Sequence, residues 1–490
     1  MRRNVILIVT ALMLVAAAAP GRAAGVAAST PSGDSQILRE YAARTWASLA
    51  AMTDQRSGLP ADSLGDDGVR SIQTSTTNIG AYLWSAVAAQ RIGIIGTPEL
   101  LSRVRTTLSS LERLERDGAS GQFYNWYDAR NGTKLTTWPP TGEPLTPILS
   151  SVDNGWLATG LRVVRGAVPS LAARAEALYS SMNFGVYYHP EVNRIAFHIV
   201  PSTGESVCCY DTVVSESRIA SYLGIANGQL PQKEYFGAYR AFPADCGWAW
   251  QEAKPAGPTR TYFGQSVFDG SYAYAGMRIT PSWGGSAFED LMPALFVPEE
   301  TWGARSWGSN HPNTVRAQIH HGLVEAGYGY WGFSPSNNPD GGYSVYGVDA
   351  VGMNPTGYPS NNDNTLVDNG FAGCPDRPAI PAPPTSAYTN GVVTPHAAFL
   401  ALRWDPRAAL TNLARLRSHF DIYSRWGFRD AVNVQTGRVS SAYLSLDQSI
   451  IMAALGNALT QDGLRRAFWD PDLERSLRPV LSVETFNQAS

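Results

Sequence analysis

Apolar residues recur three and four positions apart along most of this chain. Residues 34–52 carry Leu38, Tyr41, Ala42, Trp46 and Leu49 on one stripe, the spacing of an amphipathic helix. Ile79, Leu83 and Val87 stand four apart within 75–90. Leu100, Val104, Leu108 and Leu111 follow Thr97-Pro98-Glu99, a helix start with a cap, a first-turn Pro and an early acid. The same pattern returns over 151–164, 171–182, 215–226, 311–326, 394–404, 406–420 and 443–459. A short strand-like run, 194–200, interrupts it. About ten helices in one continuous series predict a single all-α domain over residues 34–490. No fixed sequence period marks them as a repeat solenoid. Two long stretches rich in Gly, Pro and aromatic residues, 228–286 and 328–392, carry no period. Loops of that length in a compact domain are usually functional, and these are expected to wall a cleft at one end of the helical body.

The N-terminus follows a different logic. Arg2 and Arg3 precede the apolar run 5–19, and Gly21-Arg22-Ala23 supplies small residues at a cleavage point. Residues 1–23 are therefore expected to be a secretory signal peptide, and 24–33 a flexible lead-in. Export makes a secreted, extracellular protein the expectation, with no membrane attachment after cleavage.

Composition narrows the ligand. With 38 Lys and Arg against 41 Asp and Glu, no basic footprint for nucleic acid exists. The 490 residues include 14 Trp and 22 Tyr, a neutral aromatic-rich surface that suits stacking on sugar C–H faces, although aromatics also fill large cores. Four cysteines stand at 208, 209, 246 and 374. In an oxidising compartment they predict disulfides, and the adjacent pair is expected to bridge outward to Cys246 and Cys374 rather than to itself. No Cys-x-x-Cys pair supports zinc, and His320 and His321 are adjacent, wrong for two ligands on one helix face. Asp340, Asp363 and Asp368 sit in a Gly- and Asn-rich loop without calcium-loop spacing, so they read as surface turn.

Seven short segments combine turn residues, carboxylates and aromatics: Thr74 to Gly80, Asn125-Trp126-Tyr127-Asp128, Ser151-Val152-Asp153-Asn154-Gly155, Ser215 to Ala220, Ala287 to Pro293, Val393 to Ala397 and Tyr443 to Gln448. In this order they resemble the bacterial glucoamylase-like family, which includes endo-β-1,2-glucanases and the related domain of cyclic β-1,2-glucan synthases. The resemblance runs from about residue 70 to about 470 and implies an (α/α)6 toroid. It further implies glycoside hydrolysis with no metal or organic cofactor, acting on a polysaccharide or oligosaccharide; a monomer is expected. The chain departs from the family at Ser217, at Ser449-Ile450-Ile451 and at 454–458, and the insertions around Cys208-Cys209 and 337–384 point to an altered cleft.

Glycosidic hydrolysis needs one carboxylic acid for the leaving oxygen and a carboxylate for the opposite face of the sugar. Glu216 is expected to be the proton donor, although an acid at a helix start equally serves the helix dipole, which lowers its pKa unless burial or a second carboxylate raises it. Asp447, in a helix apolar nearly all round, must face a cavity or a cationic partner; it is the expected base. Glu289, in an apolar segment, is the expected subsite ligand or, in a retaining mechanism, the nucleophile. Asp153, Trp126, Asp128, Asn78 and His396 are the expected substrate-binding residues, with N-capping the ordinary role for Asp153. A toroid that binds glycan without cutting it, a retaining transglycosylase and a polysaccharide lyase remain as alternatives.

Overall fold

The computed structural model describes residues 32–242, 254–353, 384–388 and 390–486. Among the described residues fourteen α-helices carry the fold: α1 (Ser32–Met52), α2 (Thr76–Ile92), α3 (Thr97–Leu111), α4 (Ser151–Ala167), α5 (Ala172–Ser180), α6 (Arg218–Ala226), α7 (Ala287–Leu291), α8 (Glu299–Trp302), α9 (Trp307–His320), α10 (Pro395–Leu400), α11 (Pro406–His419), α12 (Ser445–Leu459), α13 (Gly463–Phe468) and α14 (Pro471–Val483). Helices α2, α4, α6, α7, α10 and α12 form an inner ring. Contacts close it in the order α12–α2–α4–α6 and α7–α10–α12, and Arg218 of α6 binds the main chain of Glu289 and Asp290 in α7. Helices α1, α3, α5, α9, α11 and α14 pack outside. This is an (α/α)6 toroid.

The inner helices are buried all round. In α2 the buried run is unbroken from Thr76 to Ala89, and in α12 it runs from Asp447 to Asn457, the pattern of a helix enclosed by others. Helices α2 and α4 meet backbone to backbone. A Cβ on Gly80 would run into the Trp156 carbonyl, and one on Gly160 into the carbonyl of Gly80. Only glycine permits that approach, and it fixes where Trp156 stands.

Short strands set the height of the ring. Gln73–Ser75 runs into α2 and pairs with Trp126–Asp128. Leu149–Ser150 runs into α4 and pairs with His198–Val200. Val392–Val393 precedes α10 and pairs with Val432–Asn433, while Ala442–Leu444 runs into α12 and pairs with Ser63–Gly65. Ser282–Trp283, before α7, pairs parallel with Gly352–Met353. Each ladder ends where an inner helix begins, so the N-termini of the ring share one rim.

Several expectations need correction. Glu216 is not in the first turn of a helix: it lies in the turn ahead of α6, whose first residue is Arg218. Asp153 is not the cap of α4, because the Ser150 hydroxyl accepts its N–H at 3.2 Å. The run 194–200 is two strands, Arg194–Ile195 and His198–Val200, since Ala196 and Phe197 turn the chain between two partners. The expected helix 311–326 starts earlier, at Trp307, and ends in a π-turn over His321–Glu325. The stretch 228–286 holds two hairpins, Thr259–Phe268 and Tyr272–Ile279. Cys208 and Cys209 are bonded to each other across a cis peptide, which brings the two Cβ atoms within reach of one another; the expected outward bridges from this pair are not formed. Cys246, Cys374, Asp363, Asp368 and residues 1–31 lie outside the described residues. Among the described residues no helix is long and apolar enough to cross a membrane.

Candidate active site

The rim collects the candidate residues. Asn78, Asp153, Glu289 and Asp447 are each the third residue of their inner helix, His396 is the second residue of α10, and Glu216 stands just ahead of α6. In a six-membered ring α6 and α12 are opposite, so Glu216 and Asp447 face each other across the opening, while α7 brings Glu289 beside Glu216.

Glu216 and Glu289 form one unit. The Glu216 N–H donates to Glu289 Oε2 at 2.7 Å, and Trp156 Nε1–H donates to Glu216 Oε2. Burial raises the Glu216 carboxyl well above its ordinary pKa, and the neighbouring Glu289 charge pushes it the same way. Burial also raises Glu289, but the Glu216 N–H and the Ser215 hydroxyl favour its ionised form. The two carboxyls cannot both ionise easily. Glu289, with two donors, carries the charge, and Glu216 keeps the proton. Glu216 is half-buried, whereas Glu289 is 4% exposed, so the protonated group is the one open to the cleft. At Glu216 burial outweighs the dipole effect foreseen from the sequence.

Arg218 holds this unit from behind. Its guanidinium donates to the carbonyls of Ser215, Glu289 and Asp290 and pairs with Glu299 at 2.6 Å. Glu299 also accepts from Tyr222 at 2.7 Å, and His311 bridges Asp290 at 2.9 Å and Glu299 at 3.2 Å. Despite burial, Arg218 and His311 bring Glu299 down to about 2. Burial opposes the charged form of His311, but the Asp290 charge and the contacts with Asp290 and Glu299 lift it to about 9.

A second acid cluster faces the first. Asp447 is 3% exposed, and its Oδ2 lies 3.2 Å from His396 Nδ1. Burial pushes its carboxyl up to about 7, and a hydrogen bond with Asp430 opposes that rise. Burial and the Asp447 charge raise Asp430 far more, so Asp430 holds the proton and donates to Asp447. Its Oδ2 accepts the Asn337 N–H at 2.6 Å. Burial lowers His396 to about 4, leaving a neutral imidazole. The partner of Asp447 is thus a carboxylic acid and a neutral His, not an arginine.

Between the clusters lies Asp153, which accepts from the Thr77 hydroxyl at 2.5 Å and is raised by burial. With the Asn125 amide turned to its hydrogen-bonded orientation, it donates to Asp153 Oδ2 at 2.7 Å and accepts from Trp126 Nε1 at 2.8 Å. Trp126 packs edge-on to Trp138, centroids 5.1 Å apart, which makes it a wall residue. Asn78 is buried and its amide is spent on Asp62 at 2.8 Å; Asp128 is bound bidentate by Arg130. These two brace the wall rather than open into it. Asp62, Asp430, Trp156 and Tyr210, whose hydroxyl lies in the field of Glu216, Asp153 and Glu289, escaped the sequence reading. Asp62 and Asp430 sit outside any periodic segment, and the only available signal was an acid beside a strand-like run.

Among the described residues one group of metal-type donors gathers, His189, Cys208 and Cys209. The two sulfurs are bonded to each other, and His189 is engaged by Glu191 and Ser206, so the group presents no open ligand set.

Residues 262–470 match the Glycoamylase family, described as "Putative glucoamylase", and residues 40–187 match a family described as a protein of unknown function. The chain is 23% identical, over 94% of its length, to the cyclic beta-(1,2)-glucan synthase of Rhizobium meliloti, of which it spans only 19%. Among solved structures it is similar to an endo-beta-1,2-glucanase from Chitinophaga pinensis in complex with sophorotriose and glucose: TM-score 0.64, 17% identity, covering 91% of this chain and 98% of that one. The endo-beta-1,2-glucanase from Talaromyces funiculosus with sophorose gives a TM-score of 0.63 at 12% identity, covering 94% and 91%. These likenesses carry the toroid. Together with the matched segment 262–470 they make the chain similar to the bacterial glucoamylase-like family.

Proposed function

We propose that this chain is an exported glycoside hydrolase that cleaves β-1,2-glucan, with Glu216 as proton donor and Asp447 as base. One observation carries the reading: two clusters of carboxyls stand across the opening from each other, one ahead of α6 and one at the start of α12, each arranged so that one group is protonated and one ionised. Glu216 gives its proton to the glycosidic oxygen as the C1–O bond breaks. Asp447 takes a proton from the water that attacks C1 on the other face. That separation of roles is an inverting hydrolysis. Asp153, Trp126 and Glu289 hold the sugar near the bond, and His396 keeps Asp447 in place. The relatives named above, a cyclic beta-(1,2)-glucan synthase and two endo-beta-1,2-glucanases, support the linkage.

A retaining mechanism with Glu289 as nucleophile is the second reading, favoured only by its direct contact with Glu216. A glycan panel tests the proposal. Reducing ends released from β-1,2-glucan support hydrolysis. Absorbance from an unsaturated product would mean a lyase, and binding without turnover a lectin-like toroid.

A further inference from the structure

We infer that Tyr343 is a substrate-contacting residue that touches the sugar between Glu216 and Asp447. The inference rests on the site being a β-glucan cleft, and it adds a residue that none of the family motifs contains.

Tyr343 lies in the insertion 337–384, on a two-stranded hairpin in which Ser336 pairs with Ser344 and Asn337 with Tyr343. Directly paired residues point their side chains to the same face. The backbone N–H of Asn337 holds Asp430, so the hairpin that carries Tyr343 is anchored beside the Asp430–Asp447 cluster. The hairpin tip is fastened: Asn338 N–H donates to the Gly342 carbonyl at 2.8 Å, Asn338 Oδ1 accepts from Asp340 N–H at 2.9 Å, and Asp340 pairs with Arg438. Tyr343 is nevertheless 56% exposed. Among the described residues no group hydrogen-bonds its hydroxyl and no ring stacks on its face. That hydroxyl lies in the combined field of Asp447, Asp430, Glu216 and Glu289.

What distinguishes Tyr343 from an ordinary exposed tyrosine is its place: an open ring and a free hydroxyl on a fastened hairpin beside the acids of the cleft. The surroundings select the chemistry of its occupant. A neutral polyol with an apolar C–H face and several hydroxyls satisfies both the ring and the phenol. A glucosyl unit bridging the two clusters has that form.

The test uses the full mature chain. Tyr343→Phe removes the hydroxyl and Tyr343→Ala removes the ring; both are exposed changes that should leave the melting temperature unchanged. KM and kcat are measured on β-1,2-glucan, and binding of linear β-1,2-gluco-oligosaccharides is measured by calorimetry in a Glu216→Gln background. The expected result is weaker binding by about two- to tenfold for Phe, one hydrogen bond's worth, and by about tenfold or more for Ala, with KM rising in parallel. If wild type turns over β-1,2-glucan while Tyr343→Ala keeps KM, kcat and oligosaccharide affinity within about twofold of their parent values, the Tyr343 inference is overturned and the hydrolase reading stands. If wild type neither binds nor cuts any β-glucan, the hydrolase reading falls and takes this inference with it.

Discussion

The backbone N–H of Glu216 points at the side chain of Glu289, 2.7 Å away. This contact decides which of two adjacent acids keeps its proton. It stabilises the ionised form of Glu289, whose charge then raises Glu216. Glu216→Gln should lower kcat by about a hundred- to ten-thousand-fold, the usual worth of a general acid. Two milder variants should move the alkaline limb of kcat/KM in opposite directions. Glu289→Gln removes the charge that raises Glu216, so the limb should shift to lower pH. Trp156→Phe removes a hydrogen bond that lowers Glu216, so the limb should shift to higher pH. Limbs that stay put in both variants would show that Glu216 is not the titrating acid.

The acid limb belongs to the opposite cluster. A base works only when ionised, and Asp447 is held at about 7. Activity should therefore rise with pH through about 7 rather than through the ordinary carboxylate range. Asp430→Asn still offers a donor to Asp447 and should leave that limb close to its place. Asp430→Ala removes the donor that lowers Asp447, so the limb should move upward. A pH–rate profile flat between 5 and 7 would exclude Asp447 as the base.

Much of this arrangement was legible from residue order, for a physical reason. Long helices announce themselves by period: 34–52, 75–90 and 443–459 became α1, α2 and α12 with ends within two residues. The shortest inner helix, α7, gave no such signal. Helix α7 has five residues, too few turns for a period, and Glu289 stood out only by its apolar surroundings and the family motif; α10 falls inside the expected 394–404, but only the family motif marked His396. Helix α14 was overlooked although Asp470-Pro471 is an N-cap followed by a first-turn Pro. Asp62 and Asp430 were illegible because their roles come from long-range contacts, with Asn78 and with Asp447, that no local pattern encodes. The Cys208–Cys209 bond was illegible because no local pattern distinguishes an adjacent pair bonded to itself from one that bridges outward.

The buried network behind the acids should make stability depend on pH at both ends. His311 rises to about 9 when folded from an unfolded value near 6.5. Its contribution is complete below about 6.5 and is lost as pH climbs to about 9, on the order of 3 kcal/mol at most. Glu299, brought down to about 2, contributes above its unfolded value near 4.3 and loses that contribution as pH falls toward 2. Melting temperatures from pH 3 to 10 should fall at both ends, and His311→Gln should flatten the alkaline slope. Glu299→Gln leaves Arg218 buried without its carboxylate and should cost about 3–5 kcal/mol. An Arg218–Glu299 pair worth under about 1 kcal/mol by double-mutant cycle would mean the network does not position the acids.

The stereochemistry of the first product separates the two mechanisms. If water attacks C1 with Asp447 as base, each cleavage of a β-bond releases an α-reducing end first. Added acceptor sugars should gain nothing, because no glycosyl-enzyme forms. If Glu289 attacks instead, the first product is the β-anomer, and transfer to acceptors appears at high substrate. The geometry favours inversion. Glu289 Oε2 is occupied by the Glu216 N–H, and its side chain is 4% exposed, a poor posture for attack on an anomeric carbon in the cleft. Asp447 lies on the far side of the ring, leaving room for a water. Proton NMR within the first minutes of hydrolysis should therefore show the α-anomer ahead of mutarotation. Asp447→Asn should abolish turnover, while Glu289→Gln should raise KM and retain measurable kcat. A β-anomer at early time, with Asp447→Asn active and Glu289→Gln dead, would transfer the second catalytic role from Asp447 to Glu289.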